Sequence, residues 1–97
     1  MKKLTPIQKE TMDYCKKQID DARRQVIDIT KVKKRDYAST KKILDAQNGI
    51  VYTQGGKCTI RTLKVLERYG LIEILLDNSG IGTSQGAFPS MVKVLNY

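Results

Sequence analysis

The chain has 97 residues, enough for one domain around one core, and 18 Lys and Arg against 10 Asp and Glu give it a net charge of +8. That balance excludes a mimic of DNA and favours an acidic partner, a nucleic acid ahead of an anionic membrane. The lack of any His excludes Ser-His-Asp and Cys-His relays, Cys₂His₂ zinc sites and a charge switch near neutral pH.

Thr5-Pro6 opens a helix, with Thr as N-cap and Pro in the first helical position. Ile7, Cys15, Ile19, Ala22, Val26 and Ile29 then recur at largely three- and four-residue steps, predicting one apolar stripe on a helix of about 24 residues. A helix that long exceeds the packing needs of so small a domain. The expectation is an N-terminal helix within residues 1–30 whose Ile19, Val26 and Ile29 form a homodimer seam, weighed against an ordinary first helix with frayed ends. Lys2 and Lys3 resemble the charged start of a leader, but polar Gln8, Lys9 and Glu10 stand where its apolar stretch belongs, and no apolar run reaches the roughly 18 residues of a membrane span. Cytoplasmic localisation is expected.

Lys31, Lys33, Lys34 and Arg35, with Lys41 and Lys42, place six cations in twelve residues. Residues 1–42 hold 13 basic and 6 acidic side chains, whereas residues 43–97 hold 5 and 4. Such a cluster suits phosphate contacts that raise affinity without reading sequence, or serves simply as a solvated, Lys-rich surface. A second helix is predicted over Tyr37–Gln47 with Ala38, Ile43 and Leu44 inward, ended by Asn48-Gly49. Residues 50–53 read as a short strand.

Gly55-Gly56-Lys57 stands just before the next helix. It is no phosphate-binding P-loop, since Val51 replaces the first Gly and Cys58 the hydroxyl residue. It reads as a dock for a backbone phosphate at Lys57, or as a plain turn. Cys15 and Cys58 are 43 positions apart, with no Cys-x-x-Cys pair, and are expected as reduced thiols, an intermolecular bridge being the alternative.

The third helix is the clearest element. Thr59 is its N-cap, residues 60–69 carry the helical period, and Gly70 is its C′ residue. Ile60, Leu63, Val65, Leu66 and Tyr69 cover one arc, leaving Arg61, Lys64 and Arg68 within about 60° of one another on the other side. The positions able to reach base edges or phosphates are Thr59, Arg61, Thr62, Lys64 and Arg68, although Thr62 has a competing core orientation. A strand over 71–76, a loop with three glycines and a strand over 91–95 complete the chain.

The run Thr59-Ile-Arg-Thr-Leu-Lys-Val-Leu-Glu-Arg-Tyr-Gly-Leu-Ile-Glu73 resembles the recognition-helix segment of winged helix-turn-helix regulators, where Leu-Glu-x-x-Gly-Leu-Ile leads into the wing. The resemblance covers roughly residues 37–96. It implies a single α+β domain, a winged helix-turn-helix with about three helices, a small antiparallel β-hairpin wing and, in this chain, a long N-terminal helix. It further implies double-stranded DNA as partner and a role in transcription or replication, with the helix at 59–69 in the major groove. Two features depart from that pattern: about ten residues rather than three or four separate the second and third helices, and the wing region 77–90 holds no Lys or Arg. The uncharged wing favours a second reading, a winged-helix module that binds a protein. Tyr52, Tyr69 and Tyr97 are too dispersed for a platform that stacks single-stranded bases. No cofactor, metal, membrane or small-molecule substrate is implied, and no carboxylate spacing suggests an enzyme.

Overall fold

The computed structural model describes residues 3–54, 58–78, 82, 83, 86, 87 and 89–97. These form an α+β fold with helices α1 (Pro6–Arg23), α2 (Tyr37–Gln47) and α3 (Ile60–Arg68) and strands β1 (Ile50–Tyr52), β2 (Ile72–Leu76), β3 (Gly82–Thr83), β4 (Gly86–Ala87) and β5 (Met91–Val94).

Helix α1 starts with a complete capping box: Thr5 Oγ1 accepts the Gln8 N–H at 3.4 Å, and Gln8 Oε1 accepts the Thr5 N–H at 3.0 Å. Met12, Cys15, Ile19 and Ala22 then lie on one buried face. The helix has 18 residues and stops before Val26 and Ile29, shorter than the stripe predicts. Two causes combine. Val26, Ile27, Ile29 and Thr30 are β-branched and weak helix formers. Carbonyls at and just past the helix end also find a partner on α2, since Gln47 Nε2 donates to the Ala22 and Gln25 oxygens at 2.9 Å each. Residues 24–36 instead carry two short 3₁₀ turns, Ile29–Lys31 and Lys34–Asp36, with no buried residue in either.

The dimer seam fails as drawn. Ile19 is fully buried in the core of its own chain, while Val26 and Ile29 stand outside the helix in solvent. The three share no face.

Helix α2 has the predicted bounds, but Ala46 is its buried residue and Ala38 is exposed, contrary to expectation. Gly49 ends it at φ +86°, where a Cβ would stand 3.2 Å from the Val94 carbonyl oxygen. Helix α3 ends in a Schellman turn: the Leu71 N–H reaches the Leu66 oxygen at 3.1 Å and the Gly70 N–H the Glu67 oxygen at 2.9 Å, with Gly70 at φ +76°.

The sheet is antiparallel in the order β1-β5-β2. Val51 pairs with Val92, and Ile72 with Val94, so these four side chains line the buried face. The opposite face carries the row Ile50–Lys93–Glu73 and the row Tyr52–Met91–Leu76, with a bulge between Ile74 and Leu76. The core joins that buried face to Met12, Cys15, Ile19 and Ala22 of α1, Ala46 of α2 and Leu63 and Leu66 of α3, with Cys58 beside them. Helix α2 packs chiefly on α1 and β1, and α3 chiefly on β2 and α1. Strands β3 and β4 form a separate two-stranded arm within the β2–β5 connection.

No described helix is long and apolar enough to cross a membrane.

Candidate nucleic-acid interface

Leu63 and Leu66 are wholly buried, which sets the rotation of α3 about its own axis. Arg61, Lys64 and Arg68, at steps of three and four, are therefore exposed together along the opposite side. Among the described residues, no carboxylate pairs with any of the three. Thr59 Oγ1 accepts the Thr62 N–H at 3.5 Å as the cap, so Thr59 is exposed at the helix entrance. Thr62 is half-buried, between its two expected orientations.

Glu67 is the acidic residue of this helix, and its carboxylate is turned to the sheet. Its Oε2 accepts the Ile74 N–H of β2 at 2.9 Å. Sequence reading gave Glu67 no role beyond its place in a motif. The seven-residue separation from Ile74 becomes interpretable only once the Schellman turn and the outer position of β2 are known.

The cluster after α1 is exposed throughout. Lys31 lies 4.0 Å from Asp28 and Arg35 3.7 Å from Asp36, both solvent-exposed pairs that contribute little. Lys41 pairs with Asp45 at 3.7 Å. Lys42 lies over the Tyr52 ring at 5.9 Å. Lys33 and Lys34 have no carboxylate partner among the described residues. The α3 ridge and this cluster thus sit on different elements, with α1 in contact with both α2 and α3.

The base of the β2–β5 connection is closed by hydrogen bonds to buried Ser90 and Thr53. Asn78 donates its N–H to Ser90 Oγ at 3.0 Å, and Ser90 donates its own to Thr53 Oγ1 at 3.0 Å. The wing region beyond Asn78 is described only at residues 82, 83, 86, 87, 89 and 90, and Lys57 with its two glycines lies outside the described residues.

Cys15 and Cys58 are free and buried, which leaves neither thiol on the surface for a bridge between chains. Burial, and then the neighbouring Cys58, pushes the Cys15 thiol up to about 12. Burial also raises Cys58, against hydrogen bonds from Thr11 and Thr53 that act the other way.

No protein-family model matches the chain, and no curated protein or solved structure matches it.

Proposed function

We propose that the protein binds double-stranded DNA as a winged helix-turn-helix regulator of transcription or replication, with α3 in the major groove. The observation that carries this reading is the exposed ridge Arg61–Lys64–Arg68, set by buried Leu63 and Leu66 and free of carboxylate partners among the described residues. Arg61 and Lys64 reach base edges or phosphates, and Arg68 and the exposed Lys31, Lys33, Lys34 and Arg35 meet the backbone. The chain order α3, β2, arm, β5 supports the winged-helix reading, because a helix then leads directly into a two-stranded wing. Strand β1 between α2 and α3 replaces the short turn of a compact helix-turn-helix, so the reading rests on α3 rather than on a helix pair.

The test is duplex binding by Arg61→Ala, Lys64→Ala over a salt series. The double variant keeps the wild-type melting curve and loses most duplex affinity. Unchanged affinity at moderate salt removes α3 from the groove.

A second reading, a module that binds a protein through the wing, is favoured by a specific observation. Leu75 and Leu76, at the foot of a wing region without Lys or Arg, are 42% and 48% exposed. The same titration separates the two: a DNA binder loses affinity steeply with salt, whereas a protein-binding module has little duplex affinity at any salt.

A further inference from the structure

An open groove of about 670 Å³ runs between α1, α2 and β1. Ala22, Ile43, Ala46, Ile50 and Met91 give it an apolar lining, and Lys42 and Asp45 stand on its α2 wall. Its volume is in the range of pockets that bury a ligand or a few side chains. Nothing in the described chain fills it.

The wall on the α1 side ends at Gln25, two residues past the helix, and the next residue is Val26, which is 100% exposed. Ile29, three residues on, is 64% exposed. These are the two most exposed large apolar side chains among the described residues. The segment bearing them is tied to α2 at its start and closed by a local turn at its end. Gln47 Nε2 ties the Gln25 carbonyl at 2.9 Å, and Asp28 Oδ1 accepts from the Thr30 N–H at 3.0 Å and the Thr30 hydroxyl at 2.6 Å. Residues 26–29 therefore form a braced apolar projection beside an apolar groove. A wholly exposed Val26 does not enter the groove of its own chain.

We propose that each groove receives the Val26 and Ile29 side chains of a second copy of the chain, in a two-fold dimer with two identical plug-and-groove contacts. Three observations select a second copy over another occupant. Plug and groove adjoin on one chain, so a two-fold axis near Gln25 satisfies both at once, as an isologous contact requires. The charges match by exchange of exposed, weak pairs. Asp28, between the two plug side chains and 4.0 Å from Lys31 of its own chain, meets Lys42 on the rim, which has no carboxylate partner among the described residues. Lys31 meets Asp45, which lies 3.7 Å from Lys41. Finally, a monomer leaves both the apolar plug and the apolar groove in water, and pairing removes both from it. The inference does not depend on the DNA reading.

The test is sedimentation equilibrium of the full chain at moderate salt, which screens repulsion between two copies of charge +8. The wild type associates to a dimer. Val26→Asp with Ile29→Asp, at positions already in solvent, keeps the wild-type melting curve and weakens association by about tenfold or more. Ser39→Trp, which fills the groove from the exposed face of α2, does the same. Mixing the two variants restores one contact of two, because the intact plug of the second enters the intact groove of the first. The mixture then associates more strongly than either variant alone. A wild-type chain that stays monomeric up to about 1 mM, a plug variant that dimerises like the wild type, or a mixture no better than its parents overturns the proposal.

Discussion

The Glu67 carboxylate on α3 accepts the backbone N–H of Ile74 in β2 at 2.9 Å. Strand β2 is an edge of the sheet, so this amide has no strand neighbour to pair with. One side chain thereby occupies part of an open edge and ties α3 to the strand beneath it. The tie also holds the rotation of the helix that presents Arg61, Lys64 and Arg68.

Removing the carboxylate therefore has two separable effects. Glu67→Ala loses a charge-assisted hydrogen bond in a solvent-accessible place, which costs about 1 kcal/mol in a urea titration. It also leaves the Ile74 amide unprotected, so that its hydrogen exchange accelerates while the Val92 amide stays slow. Glu67→Gln keeps an acceptor and recovers most of the protection. Equal exchange of Ile74 in all three proteins contradicts the role given to Glu67.

The two helix-ending glycines respond differently to the same substitution. Gly70 has φ +76° and open space where a Cβ would be, so Gly70→Ala costs only the left-handed backbone, about 1 kcal/mol. Gly49 has φ +86° and the Val94 carbonyl oxygen 3.2 Å from that Cβ position. This oxygen belongs to β5, the central strand of the sheet. Gly49→Ala therefore costs more, about 2 kcal/mol or above, since β5 has to give way as well. Denaturation midpoints of the two variants check the order, and a Gly70→Ala variant that is the less stable of the two reverses the argument.

The same elements explain how much of this molecule is legible in its sequence. Helix α3 follows from Thr59, the spacing of Leu63 and Leu66, and Gly70, all within a dozen residues, and the outward position of its cations follows with it. Helix α2 and strand β1 have comparably local signals, in Gly49 and in the run Ile50-Val51-Tyr52. The end of α1 has only a weak one, the β-branched run Val26, Ile27, Ile29 and Thr30. Its apolar period continues past Ala22 to Val26 and Ile29, and the second cause of the stop, the Gln47 amide, arrives from 25 residues away. Likewise the partners of Glu67 and Ser90 depend on strand order. Local chemistry placed the ridge, whereas the bonds that brace it and the groove beside α1 arise from packing between distant segments.

The buried thiols make stability sensitive to alkali. In the unfolded chain Cys15 ionises near 9.0, and in the folded chain burial holds it protonated up to about 12. Above pH 9 the unfolded state loses a proton that the folded state keeps, so stability falls with rising pH. The contribution is fully present below about pH 9 and is lost progressively between 9 and 12, on the order of 1 kcal/mol per pH unit. Cys58, also raised by burial, acts in the same direction. Urea midpoints from neutral pH to about pH 11 check the sign. The slope shrinks in Cys15→Ala, and a slope that this substitution leaves unchanged assigns the effect to other groups, such as Tyr97, whose hydroxyl donates to Asp20 and is raised by that bond.

The two cationic regions make different contributions to the proposed duplex complex, and salt separates them. Lys33 and Lys34 are exposed, lie outside the regular helices and have no carboxylate partner among the described residues. A contact from either releases counterions without sensing base identity. Lys33→Ala with Lys34→Ala therefore weakens the preferred duplex and a scrambled one equally, and flattens the plot of log affinity against log salt by about 1 per lysine. Arg61 is the second residue of α3, in its first turn, with the capping Thr59 two residues before it at the entrance. Arg61→Ala reduces discrimination between the two duplexes by about 1–3 kcal/mol, in addition to its effect on the slope. Anisotropy titrations of both duplexes across a salt series measure both quantities. If Arg61→Ala shifts the two duplexes in parallel, Arg61 contacts phosphate and the sequence-reading role passes to Lys64 or Thr59.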